Sequence, residues 1–71
     1  MKAINKEINN EGNIVLTCQK SYLFGLIKKE IKFIAVREIC DGYYDWLKLP
    51  NKTLVNDITS FELDRLVKIF D

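Results

Sequence analysis

The stretch "IKFIAVREICDGYYDWLKLP", Ile31 to Pro50, decides the fold of this chain. Its first half is rich in β-branched and aromatic residues, an Asp-Gly pair follows, and "YYDWLKL" then alternates until a proline. This is the pattern of a β-hairpin. It also gathers Tyr43, Tyr44 and the only tryptophan, Trp46, into four positions.

Two loops are compatible with the Asp-Gly signal. A two-residue turn on Asp41 and Gly42 sets Glu38 against Asp45, and like charges directly across a ladder are unfavourable by some tenths of a kcal/mol. A three-residue loop, with Cys40 and Asp41 right-handed and Gly42 in the left-handed bulge position, moves the register by one and sets Arg37 against Asp45. The second register is expected. It places Ile31, Phe33, Ala35, Leu47 and Leu49 on one face, with Arg37, Asp45, Ile39 and Tyr43 toward the tip. Ile34, Val36, Tyr44 and Trp46 then occupy the other face, framed by Glu38 and Lys48. An antiparallel sheet with one wet side alternates apolar and polar residues, and this hairpin is largely apolar on both.

The cover for one face is legible at the C-terminus. In "ITSFELDRLVKIFD", Thr59 followed by Glu62 has capping-box spacing, so a helix is expected from Ser60, with Ile58 and Leu63 placed as a hydrophobic staple. Leu63, Leu66, Val67 and Phe70 recur at helical spacing and form one apolar stripe, which Phe61 and Ile69 leave. On the N-terminal side, "AINKEI" and "NIVLTCQ" flank "NNEGN", giving a first hairpin from about Ala3 to Gln19, with a short N-terminal helix as the competing reading. "SYLFGLIKKE" is read as a short helix capped by Ser21, although Tyr22 to Ile27 equally fits a strand. "PNK" makes a turn, and "TLV" adds a short strand. The expectation is one α+β domain over residues 1–71: a small antiparallel sheet of two hairpins packed on a C-terminal helix, with a short helix in the middle of the chain.

Seventy-one residues, nearly half of them apolar and under a third charged, are enough for one small soluble core. No apolar run reaches the length of a membrane span and the first ten residues lack a secretory pattern, so a cytoplasmic location without membrane contact is expected. Nine lysines to two arginines, with frequent Ile and Asn, is a composition associated with AT-rich genomes such as those of phages and mobile elements. Cys18 and Cys40 are too few and too isolated for a disulfide framework or a metal site, and both are expected to be buried thiols.

Catalysis is poorly provided for. The chain has no histidine, the commonest general base and metal ligand. Its three glycines stand alone, so no phosphate loop is present. Glu38, Asp41 and Asp45 cluster near the hairpin tip but read as a solvated rim. No enzymatic activity, metal or cofactor is expected.

What remains is binding. Tyr43, Tyr44, Trp46 and Arg37 are of the types enriched at interface hot spots, because large, rather rigid groups bury area at modest entropy cost. With Glu38, Asp45 and Lys48 at the margin, they make the hairpin the expected contact surface for a protein partner, or for a second copy of the chain in a homodimer. The alternative within the same residues is that Trp46 and Tyr44 form a second core layer. Single-stranded nucleic acid stacking on Tyr44 and Trp46 is a further alternative, weakened by charge. Residues 1–37 hold seven bases and three acids, whereas residues 38–71 hold four bases and seven acids, so the aromatic hairpin lies in the acidic half.

Overall fold

The computed structural model describes residues 1–70. Five strands, β1 (Lys2–Ile8), β2 (Ile14–Tyr22), β3 (Ile27–Cys40), β4 (Tyr43–Lys48) and β5 (Thr53–Leu54), precede one helix, α1 (Ser60–Lys68). The strands form a single antiparallel sheet in the order β1-β2-β3-β4-β5. The class is α+β, but the sheet is one continuous meander rather than two hairpins. The middle helix is absent. Ser21 and Tyr22 complete β2, Leu23 to Leu26 form a loop, and Ile27 begins β3.

The helix begins as its sequence dictates. Thr59 is the N-cap, and its hydroxyl oxygen accepts from the Glu62 N–H at 3.1 Å, which satisfies one of the orphan donors of the first turn. The Glu62 carboxylate meanwhile pairs forward with Arg65 on the same helix. Leu63, Leu66 and Val67 turn inward and are buried, with Ile58 packed beside them.

The sheet meets that stripe with Leu16, Cys18, Ile31, Phe33, Ala35 and Trp46, which complete the core cluster. The membership of Trp46 overturns the expected face assignment. Arg37 does pair with Asp45, and Gly42 does take a left-handed φ of 81°. The register then shifts between Ala35 and Arg37, leaving Val36 as an extra residue, so Ala35 pairs with Trp46, Ile34 with Leu47 and Phe33 with Lys48. Because side chains alternate along a strand, a one-residue slip exchanges the faces. Trp46 therefore lies under the helix, and Leu47 crosses to the other side. There Val15 and Ile34 form a cross-strand row with Leu47, and Val15, Thr17 and Ile34 are buried. A second shift, between Glu38 and Cys40, leaves Cys40 paired with Tyr43, so the loop is the two residues Asp41 and Gly42 and not the expected three, and it is this shift that brings Arg37 opposite Asp45. Cys18 is buried as expected, but Cys40, beside that turn, is exposed.

The molecule measures 37 × 25 × 21 Å, and the long dimension has a simple origin. β3 has fourteen residues, and its first six pair only with β2, so the β2–β3 hairpin runs past the end of β4. Among the described residues no helix is long and apolar enough to cross a membrane.

Candidate functional site

The residues that the sequence nominates for binding are brought together around β4, but most are engaged by the protein itself. Trp46 is only 3% exposed. Its indole N–H donates to Asp64 Oδ1 at 2.8 Å, and the Tyr44 backbone N–H donates to the same oxygen at 3.0 Å. A buried indole without an acceptor is costly, and α1 supplies one from a carboxylate that is itself 5% exposed. The Tyr44 ring sits edge-on to Trp46, with centroids 5.8 Å apart, and is half-buried against the core. Trp46 is thus a core residue, not a contact surface, and the flat stacking platform needed for bases is withdrawn with it.

The charged residues of the same set have local partners. Arg37 Nε lies 3.4 Å from Asp45 on the exposed surface. Lys48 donates to Asp57 at 2.7 Å, and this bond holds the Asp57 carboxyl below its ordinary pKa. Glu38 accepts from the Gly42 N–H at 3.3 Å and so steadies the turn. Tyr43 remains 42% exposed, but its ring packs at 6.2 Å from Phe61 and Lys68 Nζ lies 5.4 Å from its centroid. Ile39 and Phe61 are exposed beside this end of the sheet, which makes it a patch that leans on α1.

The opposite end of β3 presents a surface that the hairpin reading missed. Tyr22, Leu23, Phe24, Leu26 and Ile27 are all exposed; Phe24 is fully so and Leu26 is 85% exposed. None of them belongs to the core cluster. The loop closes through the Gly25 N–H donating to the Tyr22 carbonyl and the Leu26 N–H donating to the Leu23 carbonyl, both at 3.1 Å. To do so, Leu23, Phe24 and Gly25 adopt φ values of 51°, 57° and 88°. Gly25 takes this conformation without cost, but each bulky residue there is disfavoured by roughly 1–2 kcal/mol. Lysines stand behind the apolar tip: Lys20, whose Nζ is 5.3 Å from the Tyr22 ring centroid, with Lys28 and Lys29 across the ladder. Lys20 and Lys29 are direct cross-strand neighbours, a like-charge pairing that a sheet does not favour.

This finger was visible in the sequence as "KSYLFGLIKK", an apolar run around a glycine with lysines on both sides. The signal was ambiguous because Leu-Phe is not a turn dipeptide and Ser21 has the chemistry of a helix cap. Comparisons of the chain with protein-family models, with curated proteins and with solved structures returned no match.

Proposed function

We propose that this protein is a small non-catalytic binding module, of the inhibitor or adaptor type, that engages a protein partner through the β2–β3 finger. One observation carries the reading. Five large apolar side chains are exposed on a loop and the two strand residues that flank it, two of them in left-handed backbone conformation, and none belongs to the core cluster. Exposed apolar surface at a projecting tip disfavours solubility, and unfavourable backbone geometry at such a tip is characteristic of recognition sites rather than of scaffolds. A convex tip of this kind fits a partner's cleft, where aromatic and aliphatic anchors are desolvated together and act as a hot spot. The lysines behind it favour a cleft with an acidic rim, and they raise the encounter rate with such a partner. The exposed patch of Ile39, Tyr43 and Phe61 is the lesser candidate, because Tyr43 and Phe61 already satisfy part of their apolar surface against each other.

The test compares variants at the two ends of β3 for retention of partners from the source cell by the immobilised protein. Leu23→Asn with Phe24→Gly installs the Asn-Gly pair that left-handed two-residue turns prefer, and so removes the anchors while keeping the hairpin. Loss of a specifically retained protein with this variant, and not with Tyr43→Ala plus Phe61→Ala, supports the finger. Retention that depends on the second pair alone contradicts it. Oligonucleotide affinity that falls steeply with salt in the unmodified protein would instead favour nucleic acid.

A further inference from the structure

We propose that the open edge of β3 beside the finger is a strand-addition site, at which the partner protein contributes an extended segment alternating acidic and apolar side chains. The proposal rests on the finger-mediated reading and names the second half of the same interface.

The edge is produced by unequal strand lengths. β4 stops pairing with β3 at Phe33 and Lys48, after which the Leu49 N–H makes one further bond, to the Lys32 carbonyl at 2.8 Å, and Pro50 follows with no N–H to continue. β3 carries on through Ile31, Glu30, Lys29 and Lys28 to Ile27, paired with β2 on one side alone. Backbone groups in an antiparallel ladder point alternately to the two neighbours. Since the Lys32 carbonyl faces β4, the N–H and C=O groups of Glu30 and Lys28 face the same way, into the gap beyond Pro50. These four groups are spaced to bind one more strand, and five residues of edge span about 17 Å, the length of an ordinary strand. The other edges are shorter or blunted: β2 runs only three residues, Lys20 to Tyr22, past β1, β1 carries a register irregularity between Ala3 and Asn5 among charged residues, and β5 has only two residues.

The side chains around the gap state what would fill it. A notch of about 380 Å³ is lined by the apolar Ile31, Leu49 and Pro50 and by Lys29, Lys32 and Lys48, with Glu30 its one acid. Lys48 is held by Asp57, whose charge also reaches Lys20 and Lys29, whereas Lys28 and Lys32 have no ion-pair partner among the described residues. By alternation Lys28, Glu30 and Lys32 share one face of β3, and Lys29 and Ile31 the other. An added strand therefore meets two lysines flanking one glutamate on the first side, a net positive charge that favours carboxylates opposite the lysines. On the other it meets Ile31, which calls for small apolar side chains. The edge is continuous with the finger at Ile27, so one partner surface reaches both.

Amide-resolved NMR of the whole chain tests this with capped six-residue peptides. The probe alternates glutamate and valine; the controls alternate lysine and valine, or carry N-methyl groups on the amides that would enter the ladder. The expected result is saturable shifts and slowed hydrogen exchange at Lys28 and Glu30 with the first peptide, and at least tenfold weaker binding of both controls. Glu30→Pro removes an N–H that β2 does not use, and should weaken the probe tenfold or more. If that variant does not fold, Lys28→Glu with Lys32→Glu should reverse the preference toward the lysine peptide. No saturable shift, equal binding of the lysine peptide, or shifts at these amides that grow with protein concentration in the absence of peptide, as a second copy would give, overturns the proposal. Should Glu30→Pro leave partner retention intact while Leu23→Asn with Phe24→Gly abolishes it, strand addition falls and the finger stands.

Discussion

β3 ends in two hairpins that use apolar residues in opposite ways. At its C-terminal end, a glycine supplies the left-handed turn position, Glu38 steadies the turn, and the aromatic residues behind it are drawn onto α1: Trp46 onto Asp64, and Tyr43 onto Phe61 and Lys68. At its N-terminal end, leucine and phenylalanine occupy left-handed positions, and the apolar side chains around them are exposed and outside the core cluster. The first end packs its aromatic surface within the fold and the second leaves its apolar surface exposed. Aromatic content in a sequence therefore does not by itself locate an interface; what matters is whether another element of the same chain reaches it.

The largest expected effect lies at the covered end. Trp46→Ala removes a core side chain and strands Asp64, at a cost of about 3–5 kcal/mol. A domain of this length has only about 4–10 kcal/mol in total. The variant should lose that stability in urea denaturation followed by circular dichroism, and a variant of unchanged stability that has merely lost a partner would break the comparison. Asp64→Ala leaves two buried donors, the indole N–H and the Tyr44 N–H, without their acceptor and should cost about 2–3 kcal/mol in urea denaturation, while Asp64→Asn, which keeps an acceptor, should cost less. At the bare end the sign reverses. Leu23→Asn with Phe24→Gly should stabilise the fold by about 1–2 kcal/mol, raising Tm by roughly 4–8 °C per kcal/mol, because two unfavourable backbone conformations are relieved. A fall in Tm would show that these side chains support the fold after all.

Smaller effects sharpen the same contrast. Burial raises the Cys18 thiol to about 11 from 9.0, so it stays protonated at neutral pH, and an alkylating reagent should modify exposed Cys40 while sparing Cys18 until the protein unfolds. Because the folded state holds that proton more tightly, this contribution to stability is complete below about pH 9 and is lost as pH rises toward 11. Asp57 has the opposite sign. Its carboxyl is held low by Lys48, so the ion pair's small contribution is present above the ordinary carboxylate range and disappears as pH falls through the depressed value. Lys48→Ala should remove that acid-side dependence.

Much of the architecture was legible because certain residues have few local alternatives. Thr59 and Glu62 fixed the helix start, Gly42 fixed the turn, and the charges of Arg37 and Asp45 fixed their pairing. The bulge at Val36 was not legible: valine is equally at home in a regular strand, and nothing in its type marks an extra residue. That one position decided which face Trp46 took, and the contact surface expected of the hairpin failed there. The middle segment misled for the opposite reason. Its residues have strong local preferences, Ser21 for a helix cap and Leu23 and Phe24 against a left-handed turn, and the chain overrides them, as happens most often where function rather than stability sets the residue.

The most direct test places a photoreactive phenylalanine analogue at Phe24 or at Phe61, two exposed positions of the same residue type at opposite ends of the sheet, and irradiates the source cell. The account predicts a discrete protein adduct from position 24 and none from position 61. An adduct formed from position 61 alone would contradict it.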